Sequence, residues 1–356
     1  MKIKLFLNLI VCFFLFVFTL KAQIPAYYNN IDFSKKGNDL KTQLSSLIIA
    51  THSNLIPYTS TSTDTWDVIT HSDLAEDNRF VLLVYGYNDT DGIFQTDRTR
   101  EITSLCNLNS CVGLWNREHV FAKSLATPSL ETSSPSAGTD VHNLRAADSQ
   151  MNSSRNNRIF EEGIGNAQIT AQGNFYPGDE WKGDVARIIM YMYLRYPSQC
   201  PPNNVAFSNN NFNIDMPDIF LKWNIEDPVS TFEINRNDVI ASYQGNRNPF
   251  IDNPYIATII WGGNSAIDSW SVLSSNNNID STYNDLVIYP NPVNDKIFIK
   301  NDTNSTIKTI IYSLNGKELK STKTSNKIDV SELSKGIYFL KLIRENTTQT
   351  RKIVKY

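Results

Sequence analysis

The sequence predicts an α+β fold in one large domain, followed by a small all-β sandwich. Three observations carry that prediction. The chain has 356 residues, with ordinary hydrophobic (41%) and charged (19%) fractions for a folded protein, and that length accommodates one large domain and a smaller one. A polar stretch at residues 271–284, containing Ser274-Ser275-Asn276-Asn277-Asn278, has little apolar content to bury and reads as a linker. Beyond it, short β-type runs recur with turns between them.

Taken in order, the chain begins with Lys2 and Lys4, an almost unbroken apolar run over residues 5–20, and Lys21-Ala22-Gln23. A basic start, a short apolar core and a small residue at the break describe a secretory signal peptide over residues 1–22, cleaved after Ala22. A single membrane anchor is the alternative, but the run is shorter than a spanning helix needs. The rest of the sequence holds no run apolar enough for stable membrane insertion, so the mature chain is expected to be secreted or at the cell surface. The formal net charge of -3 excludes a global basic field. It leaves room for an enzyme with a local positive groove.

Three cysteines follow the leader: Cys106, Cys111 and Cys200. An oxidising compartment permits a Cys106–Cys111 bridge, which would leave Cys200 unpaired; from sequence any two of the three could join. A zinc set of Cys106, Cys111, His119 and His142 is the competing reading, although its spacing fits no common finger.

Residues 23–270 read as one mixed domain. Its central segment is Gly113-Leu114-Trp115-Asn116-Arg117-Glu118-His119-Val120-Phe121-Ala122-Lys123-Ser124, a polar cluster flanked by apolar residues, as if a strand delivered it to the edge of a site. Farther on, Leu144, Ala147 and Met151 recur at helical spacing, predicting a short amphipathic helix with Asn152 near its exposed end. Phosphodiester hydrolysis at neutral pH needs a base, a cation to neutralise the phosphate, and stabilisation of the leaving oxygen. A histidine titrates close enough to neutrality to be the base. Magnesium is satisfied by few protein oxygens and keeps several waters. Glu118, His119 and Asn152 could supply that set. Each residue alone also has a plainer reading, as a surface pair, a hydrogen-bonded histidine or a helix cap.

The last domain, residues 285–356, contains Leu286-Val287-Ile288-Tyr289, Lys296-Ile297-Phe298-Ile299, Thr309-Ile310-Ile311-Tyr312, Gly336-Ile337-Tyr338-Phe339-Leu340-Lys341-Leu342 and Lys352-Ile353-Val354 as strand runs. Asn315-Gly316 signals a type I′ hairpin turn. Tyr289-Pro290-Asn291-Pro292-Val293, Asn315-Gly316-Lys317, Ile328-Asp329-Val330-Ser331 and Gly336-Ile337-Tyr338 resemble the C-terminal sorting domain of the type IX secretion system. That resemblance implies an address recognised by secretion machinery. A plain carbohydrate- or surface-binding sandwich is the alternative, because such folds host many functions.

The first domain carries its own resemblance. Asn116-Arg117-Glu118-His119-Val120, Asp140-Val141-His142-Asn143-Leu144-Arg145 and Asn152-Ser153-Ser154-Arg155-Asn156 resemble the endonuclease I family. So do Lys182-Gly183-Asp184-Val185-Ala186-Arg187, running into an apparent helix over residues 188–196, and Gln244-Gly245-Asn246-Arg247-Asn248-Pro249. The family implies a ββα-metal nuclease core in which two strands and a helix grip one divalent ion. By that resemblance His119 is the general base, and Glu118 and Asn152 are the metal ligands. The ion would be Mg2+, with Mn2+ or Ca2+ as alternatives. Arg145 and Arg155 are candidates for the phosphate-binding arginine. His142 is a candidate for orienting water or phosphate, against a buried histidine bonded to backbone or Asp140. Asp184 and Arg187 are expected to pair near the site, and Glu233, Arg236 and Arg247 either bind phosphate or pack. The implied partners are DNA, and RNA as a further substrate, cut without strong sequence specificity, since no base-reading helix motif is visible. A noncatalytic adhesion protein on a nuclease fold is the rival; the intact trio argues against it.

Overall fold

A computed structural model describes residues 23–107, 111–276, 287–300, 306–313, 317–324, 326–344 and 347–356. The 1–22 leader, most of the 271–284 stretch and the Asn315-Gly316 turn lie outside the described residues. The chain divides into two units, Met1–Ser274 and Ser275–Tyr356.

The first unit begins with α1 (Gly37–Thr51) and α2 (Thr65–Ser72), then β1 (Phe80–Leu82) and β2 (Thr99–Glu101), which pair antiparallel. Asp64 starts α2 through a capping box with Asp67, satisfying backbone donors the first turn leaves free. Next come β3 (Trp115–His119), β4 (Leu144–Asp148) and α3 (Ser149–Arg155). The two strands are antiparallel, with Trp115 opposite Asp148, Glu118 opposite Arg145 and His119 opposite Leu144. The helix predicted across Leu144, Ala147 and Met151 therefore starts late. All five β4 residues are buried, so the strand lacks the apolar–polar alternation that would distinguish it from a helix. Asp148 marks the true boundary, accepting from the backbone N–H groups of Gln150 and Met151 at 2.8 and 3.0 Å.

The ribbon β5 (Gln168–Ile169) and β6 (Phe175–Tyr176) precedes α4 (Lys182–Arg195). From Gly183 to Leu194 every residue of α4 is buried, as befits a helix through the middle of a core. Around it stand α5 (Asp218–Glu226), α6 (Thr231–Gln244), α7 (Pro249–Asp252) and α8 (Tyr255–Trp261). The core extends as far as Trp270 and Leu273, both buried within it.

Charge is buried where β4, α2, α4 and α6 meet. Arg145 bonds Asp73 at 2.9 Å and Asp184 at 2.8 Å, Arg236 bonds Asp73 at 2.9 Å, and Arg187 bonds Glu233 at 2.6 Å. Every arginine there is matched to a carboxylate, the condition under which charge tolerates an interior.

In the second unit one antiparallel sheet has the order β11 (Lys327–Asp329), β8 (Lys296–Lys300), β7 (Val287–Tyr289). The other runs β10 (Glu318–Thr324), β9 (Ile307–Ser313), β12 (Gly336–Arg344), β13 (Thr347–Lys355). Ile297, Ile299 and Ile328 from the first sheet share one core with Ile307, Ile311, Leu340, Leu342 and Ile353 from the second. That is the predicted all-β sandwich.

Candidate functional site

β3 ends at His119, where the chain leaves the sheet and opens a cleft of about 320 Å³. Glu118, His119 and Asn152 all line it, with Arg155, Ser153 and Lys123 in the walls. The ββα arrangement accounts for this convergence. The strand supplies Glu118 and His119, while α3, launched from the paired strand by Asp148, returns Asn152 to the same opening.

The ring of His119 is held through Nε2, 2.8 Å from the carbonyl oxygen of Gly138. A carbonyl can only accept, so Nε2 carries the proton and Nδ1 keeps its lone pair. Gly138 is required there, because a Cβ would lie 2.1 Å from the carbonyl oxygen of Glu131. The Tyr58 ring stacks on the imidazole, centroids 5.7 Å apart. Burial lowers the His119 pKa to about 4, with the Gly138 bond opposing and nearby Lys123, Arg117 and Arg155 adding to the fall. The imidazole is therefore neutral at pH 7.

Burial pushes Glu118 the other way, to about 7, against the pull of Arg155 and the Tyr85 hydroxyl. Its Oε1 accepts from Tyr85 at 3.0 Å and faces Arg155 at 3.1 Å; Oε2 takes neither of those bonds. Tyr85 is fully buried with φ of 73°, a left-handed backbone that a bulky residue adopts only when its surroundings demand it. Asn152 donates Nδ2 to Asn116 Oδ1 at 2.8 Å. Both amides are thereby oriented, and the Asn152 carbonyl oxygen is left as its accepting end.

The arginine candidates need correction, and the other candidates take their plainer structural readings. Arg145 is not a phosphate ligand: it is fully buried between Asp73 and Asp184. Arg155 does reach the cleft, but it too is fully buried and donates to the carbonyls of His119 and Val120 at 3.0 and 2.7 Å. It clamps the end of β3 and faces Glu118 rather than solvent. His142 lies apart from the trio, with Nε2 on the Asn246 carbonyl at 3.2 Å and its ring against Tyr191. Asp184 and Arg187 approach at 3.8 Å, but the closer partner of Arg187 is Glu233. Arg247 bonds Asp252 and Asp238. The zinc set fails because Cys106 and Cys111 form a disulfide; Cys200 is free and buried. Asn152 is the fourth of seven residues in α3 rather than near its end.

Tyr85, Asn116, Gly138, Tyr58 and Lys123 escaped the sequence reading as site residues. Asn116 and Lys123 lie within a few residues of Glu118-His119, so proximity was a usable signal for them. Tyr85, Gly138 and Tyr58 arrive from distant loops with none.

The family model described as Endonuclease I matches residues 36–255, and the Secretion system C-terminal sorting domain matches residues 287–356. The chain is 36% identical over 259 residues to an extracellular ribonuclease of Bacillus amyloliquefaciens, covering 69% of this chain and 81% of that protein. It is 38% identical over 256 residues to an extracellular ribonuclease of Bacillus subtilis (strain 168), covering 67% of this chain and 80% of that protein.

Proposed function

The chain belongs to the endonuclease I family and is a nuclease, and from that premise we propose that it is an exported, metal-dependent enzyme cutting DNA and RNA without strong sequence specificity. The observation that carries this reading is the convergence of Glu118, His119 and Asn152 on one cleft, with the imidazole neutral. His119 Nδ1 takes the proton from the attacking water. Lys123, exposed on the rim, is the side chain placed to meet the phosphate. Tyr85 and Arg155 hold Glu118 in position, and Asn116 holds Asn152.

The donor set fits a hard, hydrated cation. It offers one carboxylate, whose Oε2 takes neither the Tyr85 nor the Arg155 contact, and one amide oxygen. Among the described residues no cluster of three His, Cys, Asp or Glu forms a closed cage of the kind zinc takes. Mg2+ asks for little more than Glu118 and Asn152 provide. Bound there, the ion would neutralise charge building on the phosphate. RNA is included as a substrate because the two Bacillus relatives are ribonucleases. The C-terminal unit would hand the chain to the secretion machinery, after removal of residues 1–22 at the inner membrane. Deleting residues 285–356 should then abolish export in the native host, and an exported truncation would end that part of the reading.

The test uses the purified full chain on supercoiled plasmid and on RNA, with magnesium or with chelator. Both substrates are cut only with metal. His119→Ala loses about 10²–10⁴-fold in kcat and is not rescued by added magnesium, whereas Glu118→Gln is partly rescued. Cleavage in excess chelator, or normal turnover by His119→Ala, refutes the proposal.

A further inference from the structure

A second, larger groove of about 890 Å³ adjoins the catalytic cleft, and the two share Asn116 and Arg117. Its far wall is the loop from Tyr58 to Asp64 with the first turn of α2, and Leu105–Asn107 close the other side. We infer that this groove is a nucleoside subsite, which takes the unstacked base and sugar of the nucleotide next to the scissile phosphate. The inference rests on the nuclease reading above and adds what is recognised beside the cut.

Charge decides against a phosphate in this groove. Among its described lining residues the one cation is Arg117, and its guanidinium is already engaged. It lies over the Tyr58 ring at 3.4 Å and the Trp66 ring at 4.1 Å. It donates to the Tyr58 carbonyl, to Thr65 Oγ1 at 2.8 Å and to Thr59 Oγ1 at 3.1 Å. Against it stand two lining carboxylates, Asp64 and the exposed Asp67. A phosphate entering here would meet net negative charge and a guanidinium whose two terminal nitrogens are already bonded and whose Nε is buried.

The neutral groups point to a nucleoside. Thr59, Ser60, Thr61, Ser62 and Thr63 form an exposed run of hydroxyls along one wall, and Asn107 and Asn116 contribute amides. Hydroxyls and amides pair with base edges and sugar hydroxyls, and a carboxylate such as Asp67 accepts from base amino groups. The wall is also preformed. Arg117 pins it to β3, Ser60 donates its backbone N–H to Asp64 at 2.9 Å, and Asp64 and Asp67 complete the capping box. A fixed wall spares the ordering cost of binding. A base reaches this groove only when it has left its stack, so single-stranded segments fit and intact duplex does not.

The test compares two fluorescein-labelled six-nucleotide strands with the same phosphates, one carrying bases and one built of abasic units. Anisotropy is measured with the full chain in chelator. Wild type should bind the base-bearing strand about tenfold or more tightly. The double variant Thr61→Leu/Ser62→Leu fills the groove with aliphatic bulk at exposed positions. It should lose that preference while binding the abasic strand as wild type does. Equal binding of both strands by wild type, or an undiminished preference in the variant, overturns the inference. Binding in chelator requires no catalysis, so failure here is distinct from failure of the nuclease reading, which shows as uncut plasmid.

Discussion

Replacing Arg145 by Met separates a buried structural arginine from a phosphate ligand. The guanidinium bridges Asp73 and Asp184 with no exposed surface. Asp73 keeps Arg236 at 2.9 Å, a hydroxyl bond from Ser72 at 2.8 Å and the Ala146 N–H at 3.0 Å. Asp184 is worse placed: the arginine remaining to it is Arg187 at 3.8 Å, which is committed to Glu233. The variant therefore strands one buried carboxylate, and breaking a buried pair costs about 3–5 kcal/mol. That is a large share of the roughly 5–15 kcal/mol holding a domain together. With an m-value of about 2–3 kcal/mol per molar urea, the midpoint should fall by about 1–2.5 M. Tryptophan fluorescence is the appropriate probe, since all six tryptophans lie in the first unit. Cleavage per folded molecule at low urea should stay within a few-fold of wild type. A variant with the wild-type midpoint and lost cleavage would refute the structural role and return Arg145 to the phosphate.

His142 is buried and its pKa falls to about 4, against about 6.5 in an unfolded chain. Between those values the unfolded state binds a proton that the folded state refuses, so this group's contribution to stability falls as pH drops through that window. Glu118 and Asp227, raised by burial to about 7 and 6, pull in the opposite direction, so the useful quantity is wild type minus His142→Gln. That difference should shrink by about 2 kcal/mol between pH 7 and 4.5, and a constant difference would show that His142 does not titrate this way. The Cys106–Cys111 bridge spans a sequence separation of 5, a loop short enough to stabilise by about 2 kcal/mol. The double serine variant should lower the first unit's urea midpoint accordingly, with an unchanged midpoint contradicting that estimate.

The three residues that line the cleft could be found in the sequence because Glu118 and His119 are consecutive and Asn152 lies in a second polar cluster. Glu118 and His119 fall on one short strand, and Asn152 follows one helical turn after the other strand of the pair. What was not legible is how deep a side chain lies, since residues directly opposite in an antiparallel pair share a face. Arg145 and Glu118 sit opposite each other in the β3–β4 register, yet one lines the cleft and the other is sealed behind it. A motif records only that both are present. Secondary structure failed for a related reason. β4 is buried on both sides, so its apolar residues carry no period, and Leu144, Ala147 and Met151 match a helix by coincidence of spacing. β10 fails oppositely: Glu318–Thr324 is a polar edge strand of exposed and half-buried residues that offers no apolar run to notice.

The same distinction between buried and exposed charge explains why net charge was a poor guide to function. Arg100, Arg145, Arg155, Arg187 and Arg236 are all at most 7% exposed. Arg100, Arg145, Arg187 and Arg236 are neutralised by Asp97 and Asp148, Asp73 and Asp184, Glu233, and Asp73, while Arg155 faces Glu118. These residues count toward the formal -3, yet project almost no field outward. Their work is mechanical: they lock α2, α4 and α6 beneath the strands that aim Glu118 and His119. On the proposed mechanism such a cleft does not need a strongly basic surface to orient its substrate, since the groups proposed to act are held in place before a phosphate arrives. Under the proposed mechanism, what remains to meet that phosphate is Lys123 at the rim, together with the ion proposed for Glu118 and Asn152. This division of labour reconciles a nucleic-acid-cutting enzyme with an acidic chain.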